Sequence, residues 1–250
     1  MDREDRAEAS GPVALVGSGE FLDEMVAVDA GLLAGRPARV AIVPTAASLE
    51  GAERVAWWLE LGRRHYEAMG VEAVAVAVGN RAEADEPEMA RRIEGVGLVY
   101  LSGGDPHHLA ATLRGSRVWE AIVGAWRGGA ALAGCSAGAM ALTSGAPADL
   151  GPGGGRRAAG EEVDGLGLIG HLAVIPHFDL LERRRSDVVE WFARWQPVGT
   201  TLVGVEEQTA LVGRGAGWRV QGNGSVWVFG AGRAQRFVDG EEVPLEPAAG

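Results

Sequence analysis

The stretch of the sequence best suited to chemistry is a serine between two glycines, Gly134-x-Ser136-x-Gly138. This spacing is typical of a nucleophile elbow, a sharp turn from a strand into a helix that raises the serine hydroxyl above a sheet. The small residues allow the strand and the helix to approach closely, and the amide of Ala137 would point at a developing oxyanion. The same sequence also fits an ordinary strand-to-helix turn with a capping serine. A catalytic role therefore requires a base and an acid from other parts of the chain.

A serine nucleophile needs a base that takes its proton. His177 follows a predicted strand beside a proline, and we expect it to be this base. His107 and His108 follow a glycine turn and are the alternative bases. Of the remaining histidines, His65 is expected on the surface of a helix and His171 is expected to have a structural role.

The base in turn needs an acid that orients it, and the sequence offers candidates on both sides of His177. Glu206 and Glu207 follow a predicted strand, whereas Asp149 and Asp164 lie between the serine and the histidine. An α/β-hydrolase has the order serine, acid, histidine. Because the preferred acids come after His177, the α/β-hydrolase fold is the second choice.

Two residues next to these motifs receive other interpretations. Glu20 follows a turn at Gly17-Ser-Gly19 and is interpreted as an acid in the first turn of a helix, where the helix dipole favours negative charge, with a role in the site as the second alternative. Cys135 is a rival nucleophile beside Ser136, but the elbow spacing places the serine at the exposed position. The predicted nucleophile is therefore Ser136.

Strands and helices must position these residues. Short apolar runs predict strands over 12–16, 39–43, 71–78, 97–101, 171–175 and 201–205. Apolar residues at helical spacing predict helices over 50–69 and 106–127, and the second of these is broken near Gly115. Strands and helices alternate, so we expect a three-layer α/β fold with a mostly parallel central sheet and helices on both faces. The C-terminal part predicts antiparallel hairpins, with a turn at Asn223-Gly224.

The organisation of the chain is predicted to be a single α/β domain over 1–250. Residues 1–10 are expected to be flexible, and 214–250 are expected to form an antiparallel extension of the same domain. The segment 145–160 is rich in glycine and proline and is the longest predicted loop, either a lid or disordered. The Gly103-Gly104 turn, Ser136, His177 and Glu207 each follow a predicted strand, so we expect them at one edge of the sheet.

Composition excludes several classes of function. The 250 residues carry a net charge of -11, which argues against nucleic acid or an anionic membrane as the main partner. There is no lysine, so Schiff-base, P-loop and Ser-Lys chemistry are excluded. The single cysteine excludes intrachain disulfides and a cysteine-rich metal site. No spanning apolar run or signal core is apparent, and a cytoplasmic protein with no metal or organic cofactor is expected.

Five segments follow one another along the chain in an order that is typical of a known family. They are Ile42-Val-Pro-Thr-Ala46, Ser102-Gly-Gly-Asp105, Gly134-Cys-Ser-Ala-Gly-Ala139, Pro176-His177-Phe178 and Gly204-Val-Glu-Glu-Gln-Thr-Ala210. Through them the sequence, from the N-terminal strands to about residue 213, resembles the cyanophycinase and aspartyl dipeptidase (peptidase E) family of serine peptidases, whose fold is similar to that of class I glutamine amidotransferases.

This resemblance implies a Ser136-His177-Glu207 triad, as in the cyanophycinase branch, with Glu206 as the close rival. The peptidase E branch takes an aspartate shortly after the nucleophile, for which Asp149 is the nearest match. The amides of Gly104 and Ala137 would form the oxyanion hole.

The resemblance also bears on the substrate. Asp105, His107 and Arg183 are the expected substrate contacts, although an exposed helix face is the alternative interpretation of Arg183 and the arginines that follow it. The sequence departs from the cyanophycinase branch at Ile175-Pro176, where that branch has Asp-Gln, and at Pro106, where it has Gln.

The expected function is a serine peptidase that acts on short aspartyl or acidic peptides through an acyl-enzyme. The alternative is a binding or regulatory protein of the same fold that keeps the elbow without turnover. The expected partner is a small peptide substrate, and a homodimer is left open.

Overall fold

A computed structural model describes residues 10–145, 165–194, 199–215, 217–230 and 232–245. The segment expected to be flexible, 1–10, lies outside these residues except for Ser10, and the predicted loop 145–160 lies outside them after Gly145. Asp149 and Asp164, the alternative acids, also lie outside the described residues.

The first half of the chain forms the parallel part of an eight-stranded sheet. Its strands are β1 (Val13–Val16), β2 (Arg39–Val43), β3 (Glu72–Ala75), β4 (Leu98–Leu101) and β5 (Ala131–Cys135). They lie in the order β3-β2-β4-β5-β1. β1, β4 and β5 are buried along their whole length, because both faces of a parallel sheet are covered. That burial explains their uninterrupted apolar sequences.

Helices alternate with these strands, and the predicted α/β architecture is confirmed. They are α1 (Val26–Leu33), α2 (Ala52–Ala68), α3 (Arg81–Ala84), α4 (Pro87–Arg91), α5 (Pro106–Leu113), α6 (Arg117–Arg127) and α7 (Ala137–Leu142), with 3-10 turns at Asp23–Met25 and Thr45–Glu50. The predicted break in the helix over 106–127 is confirmed between α5 and α6, where the Ser116 side chain caps α6. β3 is shorter than the predicted strand over 71–78.

Two buried clusters cover the two faces of this sheet, and β1 contributes alternate residues to each. Val13 and Leu15 lie in one cluster, and Ala14 and Val16 lie in the other. The sheet is therefore the middle layer of the expected three.

The second half of the chain differs from the prediction, because it divides between two sheets. β8 (Thr209–Arg214), β9 (Gly217–Gly222) and β12 (Glu242–Pro244) extend the large sheet beyond β1 as antiparallel strands. A separate four-stranded sheet has the order β11-β10-β7-β6 and contains β6 (Leu172–Ile175), β7 (Thr201–Val205), β10 (Ser225–Gly230) and β11 (Arg233–Val238). α8 (Phe178–Arg184) and α9 (Val188–Arg194) pack on it through a third buried cluster.

The predicted hairpin turn at Asn223-Gly224 is wrong, because the strands on its two sides belong to different sheets. β9 pairs with β8 and β12, whereas β10 pairs with β7 and β11. Side chains satisfy the backbone at this crossing: the Gly224 N–H donates to Thr209 Oγ1 at 2.8 Å, and the Ser225 N–H donates to Glu206 Oε2 at 2.8 Å. The antiparallel hairpins that do form are β8–β9 and β10–β11.

Candidate active site

Ser136 lies on the sharp turn between β5 and α7 that the sequence motif predicts. Its backbone has φ 50° and ψ -110°, a strained conformation for a residue with a side chain. The glycines of the motif are required by close packing. A Cβ at Gly134 would lie 2.5 Å from the Gly138 carbonyl group, and a Cβ at Gly138 would lie 2.3 Å from the Leu101 carbonyl oxygen. The motif therefore forms the elbow that places Ser136 at the carboxyl end of β5.

His177 and Glu207 meet Ser136 from the other sheet. The Oγ of Ser136 is 3.0 Å from Nε2 of His177, and Nδ1 of His177 is 2.9 Å from Oε1 of Glu207. His177 follows β6 and Glu207 follows β7, so the three residues form one chain of hydrogen bonds between the edges of two sheets. The side chains of His177 and Glu207 are 18% and 36% exposed, which leaves this arrangement open to a substrate.

The structure distinguishes the two adjacent glutamates. Glu206 is buried and points away from His177: Oε2 accepts the Ser225 N–H at 2.8 Å and Oε1 accepts the Trp227 Nε1–H at 3.2 Å. Glu206 therefore has a structural role, and Glu207 is the carboxylate next to the imidazole.

Asp179 supports this arrangement, a role that the sequence did not suggest. It lies in the first turn of α8, and no side chain caps that helix. Oδ1 of Asp179 accepts the Glu207 N–H at 3.0 Å, and Oδ2 accepts an Arg183 N–H at 2.8 Å. Arg183, an expected substrate contact, is thus engaged in an exposed ion pair with Asp179.

The amides expected to form the oxyanion hole lie at two neighbouring turns. Gly104 is exposed and has φ 143°, a value that favours glycine, and Ala137 is the first residue of α7. Among the described residues, neither the Gly104 N–H nor the Ala137 N–H has an acceptor. Neither donor is therefore used within the described part of the chain.

Glu20 lies beside these turns, and its interpretation as a helix acid is wrong. The nearest helical turn begins only at Asp23. Glu20 is buried, and its Oε1 accepts the Gly103 N–H at 3.0 Å. Its Oε2 accepts the Cys135 thiol hydrogen at 2.8 Å. Its position after a strand and a glycine turn, the same signal that located the other site residues, could have revealed it.

Among the described residues, Ser136 forms a hydrogen bond with His177 and with no other histidine. His108 contacts Ser48 Oγ at 2.7 Å and the Gly79 carbonyl oxygen at 2.9 Å through Nε2. His107 is half-buried in the first turn of α5. His65 was expected at the surface, but it is buried and its Nε2 is 2.7 Å from Oδ2 of Asp29.

Two further expectations concern His171 and Asp105. His171 packs edge-on against the Trp218 ring, with centroids 6.4 Å apart, in agreement with a structural role. The Asp105 side chain accepts the His108 N–H at 2.8 Å and so caps α5. The expected contact of Asp105 with a substrate stays a prediction.

Cys135 is unsuited to nucleophilic attack. It is fully buried in β5, and burial together with the nearby Glu20 carboxylate raises the pKa of its thiol well above the usual range. The predicted choice of Ser136 over Cys135 is consistent with this burial.

Backbone strain is concentrated at this edge of the molecule. The non-glycine residues with positive φ, among those described, are Phe21, Ser136, His177 and Gln208. Two of them are members of the hydrogen-bonded chain, and the other two directly follow Glu20 and Glu207. Strain of this kind persists where surrounding structure imposes it, and it is concentrated at functional sites.

The fold and the site have the arrangement of a nucleophile-elbow hydrolase. The family model "Peptidase family S51" matches residues 14–220, and the chain belongs to this family of peptidases. The resemblance to the cyanophycinase and peptidase E family is thereby confirmed, and this family agrees with the expected class of enzyme.

Individual relatives agree with this assignment. The chain is 33% identical over 171 residues to a cyanophycinase of Trichormus variabilis, with 66% of this chain and 56% of that protein covered. A cyanophycinase of Synechococcus elongatus is 29% identical over 178 residues, with 67% and 53% covered. The chain therefore spans only about half the length of these curated relatives.

Two solved structures share the fold. A peptidase from an acI-B1 Actinobacterium is 34% identical with a TM-score of 0.84, covering 94% of this chain and 97% of that one. A candidate peptidase E protein from Listeria monocytogenes EGD-e has a TM-score of 0.58 at 17% identity, covering 86% and 99%, and it supports the fold alone.

Neither a helix able to cross a membrane nor a metal-binding cluster is present in the described ranges. Every helix there is too short or too polar to cross a bilayer. In the same parts of the chain, no group of three or more His, Cys, Asp or Glu side chains is arranged to hold a metal ion.

Proposed function

We propose that the protein is a serine peptidase that hydrolyses short peptides containing an aspartyl or other acidic residue, through Ser136, His177 and Glu207. The observation that carries the proposal is the hydrogen-bonded chain of 3.0 Å and 2.9 Å that links these residues. A strained elbow serine with such partners is the arrangement that nucleophilic catalysis requires.

The direction of proton transfer follows from the chemistry of the partners. An ionised Glu207 can only accept, so Nδ1 of His177 carries the proton that it receives. Nε2 is then the acceptor for the Ser136 hydroxyl. As Oγ attacks the substrate carbonyl carbon, its proton passes to Nε2, and Glu207 stabilises the imidazolium that results.

The rest of the reaction uses the same groups. The Gly104 and Ala137 amides donate to the oxyanion of the tetrahedral intermediate. The amine leaves with the proton from Nε2, and an ester of Ser136 remains. Water then loses a proton to Nε2 and attacks this ester, which releases the acid and restores the serine.

The substrate class is inferred from the resemblance to the cyanophycinase and aspartyl dipeptidase family rather than from the geometry of the site. The curated relatives named cyanophycinase agree with that resemblance. The Arg183 guanidinium is already paired with Asp179, so recognition of a substrate carboxylate would have to compete with that pair. A direct test of substrates is therefore the first experiment.

The test is the hydrolysis of a dipeptide panel of Asp-X, β-Asp-X and neutral sequences by the wild type and by Ser136→Ala. We expect the wild type to cleave an aspartyl subset and the variant to lose about 10³-fold or more in kcat. A matched control is Ser48→Ala. Ser48 also contacts a histidine, His108, but among the described residues the ring of His108 forms no hydrogen bond with a carboxylate. It should keep most of the activity.

The outcomes separate the candidate functions. Cleavage of neutral dipeptides only would contradict the substrate class but not the nucleophile. No cleavage of any peptide, together with no reaction of Ser136 with a fluorophosphonate, would contradict the peptidase proposal and favour a binding protein.

A further inference from the structure

Glu20 is a buried carboxylate that the proposed reaction does not use. Its exposed fraction is 6%, and no cation among the described residues forms an ion pair with it. Burial of a carboxylate is costly unless hydrogen bonds satisfy it. The Gly103 N–H and the Cys135 thiol supply these hydrogen bonds, so they indicate the role of Glu20 in the structure.

Both partners of Glu20 directly precede a residue of the site. Gly103 precedes Gly104, and Cys135 precedes Ser136. The glycine turn lies between Glu20 and the serine: a Cβ at Gly103 would be 3.1 Å from Oε1 of Glu20 and 3.5 Å from Cβ of Ser136. One carboxylate thus connects the turn after β4 with the end of β5.

We propose that Glu20 is a positioning residue that fixes the Gly103-Gly104 turn, so that the Gly104 N–H points at the substrate oxyanion. This inference rests on the proposed function. Its geometric basis is that the N–H groups on both sides of Gly104 are held. The Gly103 N–H donates to Glu20 at 3.0 Å, and the Asp105 N–H donates to the Ala46 carbonyl oxygen at 2.8 Å.

The physical reason lies in the freedom of two consecutive glycines. Glycine populates positive and negative φ about equally, so an unanchored turn would sample many orientations of the Gly104 N–H. Oxyanion donors are effective because they are fixed before the reaction, and a reorientation in every turnover would lower the rate. The loss of Glu20 should therefore lower kcat more than it changes KM.

The backbone next to Glu20 supports this role. The Leu22 N–H donates to the Gly19 carbonyl oxygen at 3.2 Å, which closes a turn over Glu20 and Phe21. Phe21 has φ 64° in this turn, and its ring packs on Tyr100 of β4 with centroids 4.8 Å apart. The turn that presents Glu20 is thus anchored to the strand that leads to Gly103.

The test compares two substitutions that differ in the acceptor. Glu20→Gln keeps an oxygen for the Gly103 N–H, whereas Glu20→Met has a similar volume and no comparable acceptor. We expect Glu20→Met to lower kcat by about 30-fold or more with KM within about 3-fold, and Glu20→Gln to stay within about 5-fold of the wild type. Glu20→Ala replaces Glu20→Met if the latter does not fold.

A matched control is Asp29→Asn, since Asp29 is also a buried carboxylate but is bonded to His65. It should lower the melting temperature without a comparable loss in kcat. The rate of Ser136 phosphonylation by a fluorophosphonate is measured in all variants.

A Glu20→Met protein that reacts with the probe and substrate at the wild-type rate would overturn the inference alone. Equal losses in Glu20→Gln and Glu20→Met would also overturn it, because charge rather than the acceptor would then matter. A wild-type protein that does not react with the probe would refute the proposed function, and this inference with it.

Discussion

Asp179 accepts the backbone N–H of Glu207 at 3.0 Å, although the two residues follow different strands. Because Asp179 lies in the first turn of the helix that begins after His177, this bond fixes the loop of Glu207 relative to the imidazole. The contact between His177 and Glu207 is therefore supported by the backbone as well as by the side chains.

The two adjacent glutamates should separate activity from stability. Glu207→Gln is expected to lower kcat by about 10²- to 10⁴-fold with little change in melting temperature, because the imidazole loses its orienting carboxylate. Glu206→Gln should instead lower the free energy of unfolding by about 1–3 kcal/mol, since either the buried Ser225 N–H or the partly buried Trp227 Nε1–H loses its acceptor. Steady-state kinetics and denaturant unfolding measure the two effects. The reverse pattern would assign the acid to Glu206.

The elbow should not tolerate a side chain at Gly138. Gly138→Ala places a methyl group against the Leu101 carbonyl oxygen, and we expect a loss of about 2 kcal/mol or more in the free energy of unfolding. The control is Gly124→Ala in α6, where a Cβ meets nothing within 4 Å. That substitution should stabilise the protein by about 0.5–1 kcal/mol. Equal stability of both variants would contradict the close packing of β5 and α7.

The thiol should be inert in the folded protein. Because Cys135 is fully buried and its thiol pKa is raised, alkylation by iodoacetamide should be about 10²-fold slower in the native than in the denatured protein. Mass spectrometry of time points measures both rates. Rapid native alkylation with loss of activity would contradict the choice of the serine.

The stability of the protein should depend on His171 at acidic pH. Burial lowers the pKa of His171, so the folded state favours the neutral imidazole. Above an ordinary histidine pKa of about 6.5 both states are neutral, whereas below it the unfolded state takes up a proton more readily. This contribution to stability is therefore lost as the pH falls.

The comparison for this effect is His171→Gln. The decrease in the free energy of unfolding from about pH 7.5 to about pH 5 should be smaller in this variant than in the wild type, because other titrating groups cancel in the difference. A larger decrease in the variant would show that the sign is wrong.

The sequence contained the local part of the site but not its assembly. A five-residue motif specifies the elbow, because Gly134 and Gly138 allow only one close packing of strand and helix. The approach of His177 and Glu207 to Ser136 depends on a second sheet, whose strands have the same short apolar sequences as those of the first. A short apolar sequence predicts a strand but does not indicate which sheet that strand will join.

The wrong predictions have similar causes. His65 was expected on the surface of a helix, but its partner Asp29 lies on another helix and cannot be identified from the local sequence pattern. The dipeptide Asn223-Gly224 is typical of a hairpin turn. Here, however, Thr209 and Glu206 accept the N–H groups of Gly224 and Ser225, where the chain passes to the other sheet. In both cases a polar contact distant in sequence outweighed the local preference.

The division of the site between two sheets also orders events during synthesis. Ser136 leaves the ribosome well before His177 and Glu207, and β1, which anchors the serine through its Val16 carbonyl oxygen, acquires its second neighbour only when β8 is made. The nascent chain therefore contains Ser136 before His177 and Glu207 have been made, and the second neighbour of β1 is complete only at residue 214. The hydrogen-bonded chain of the site can form only late in translation.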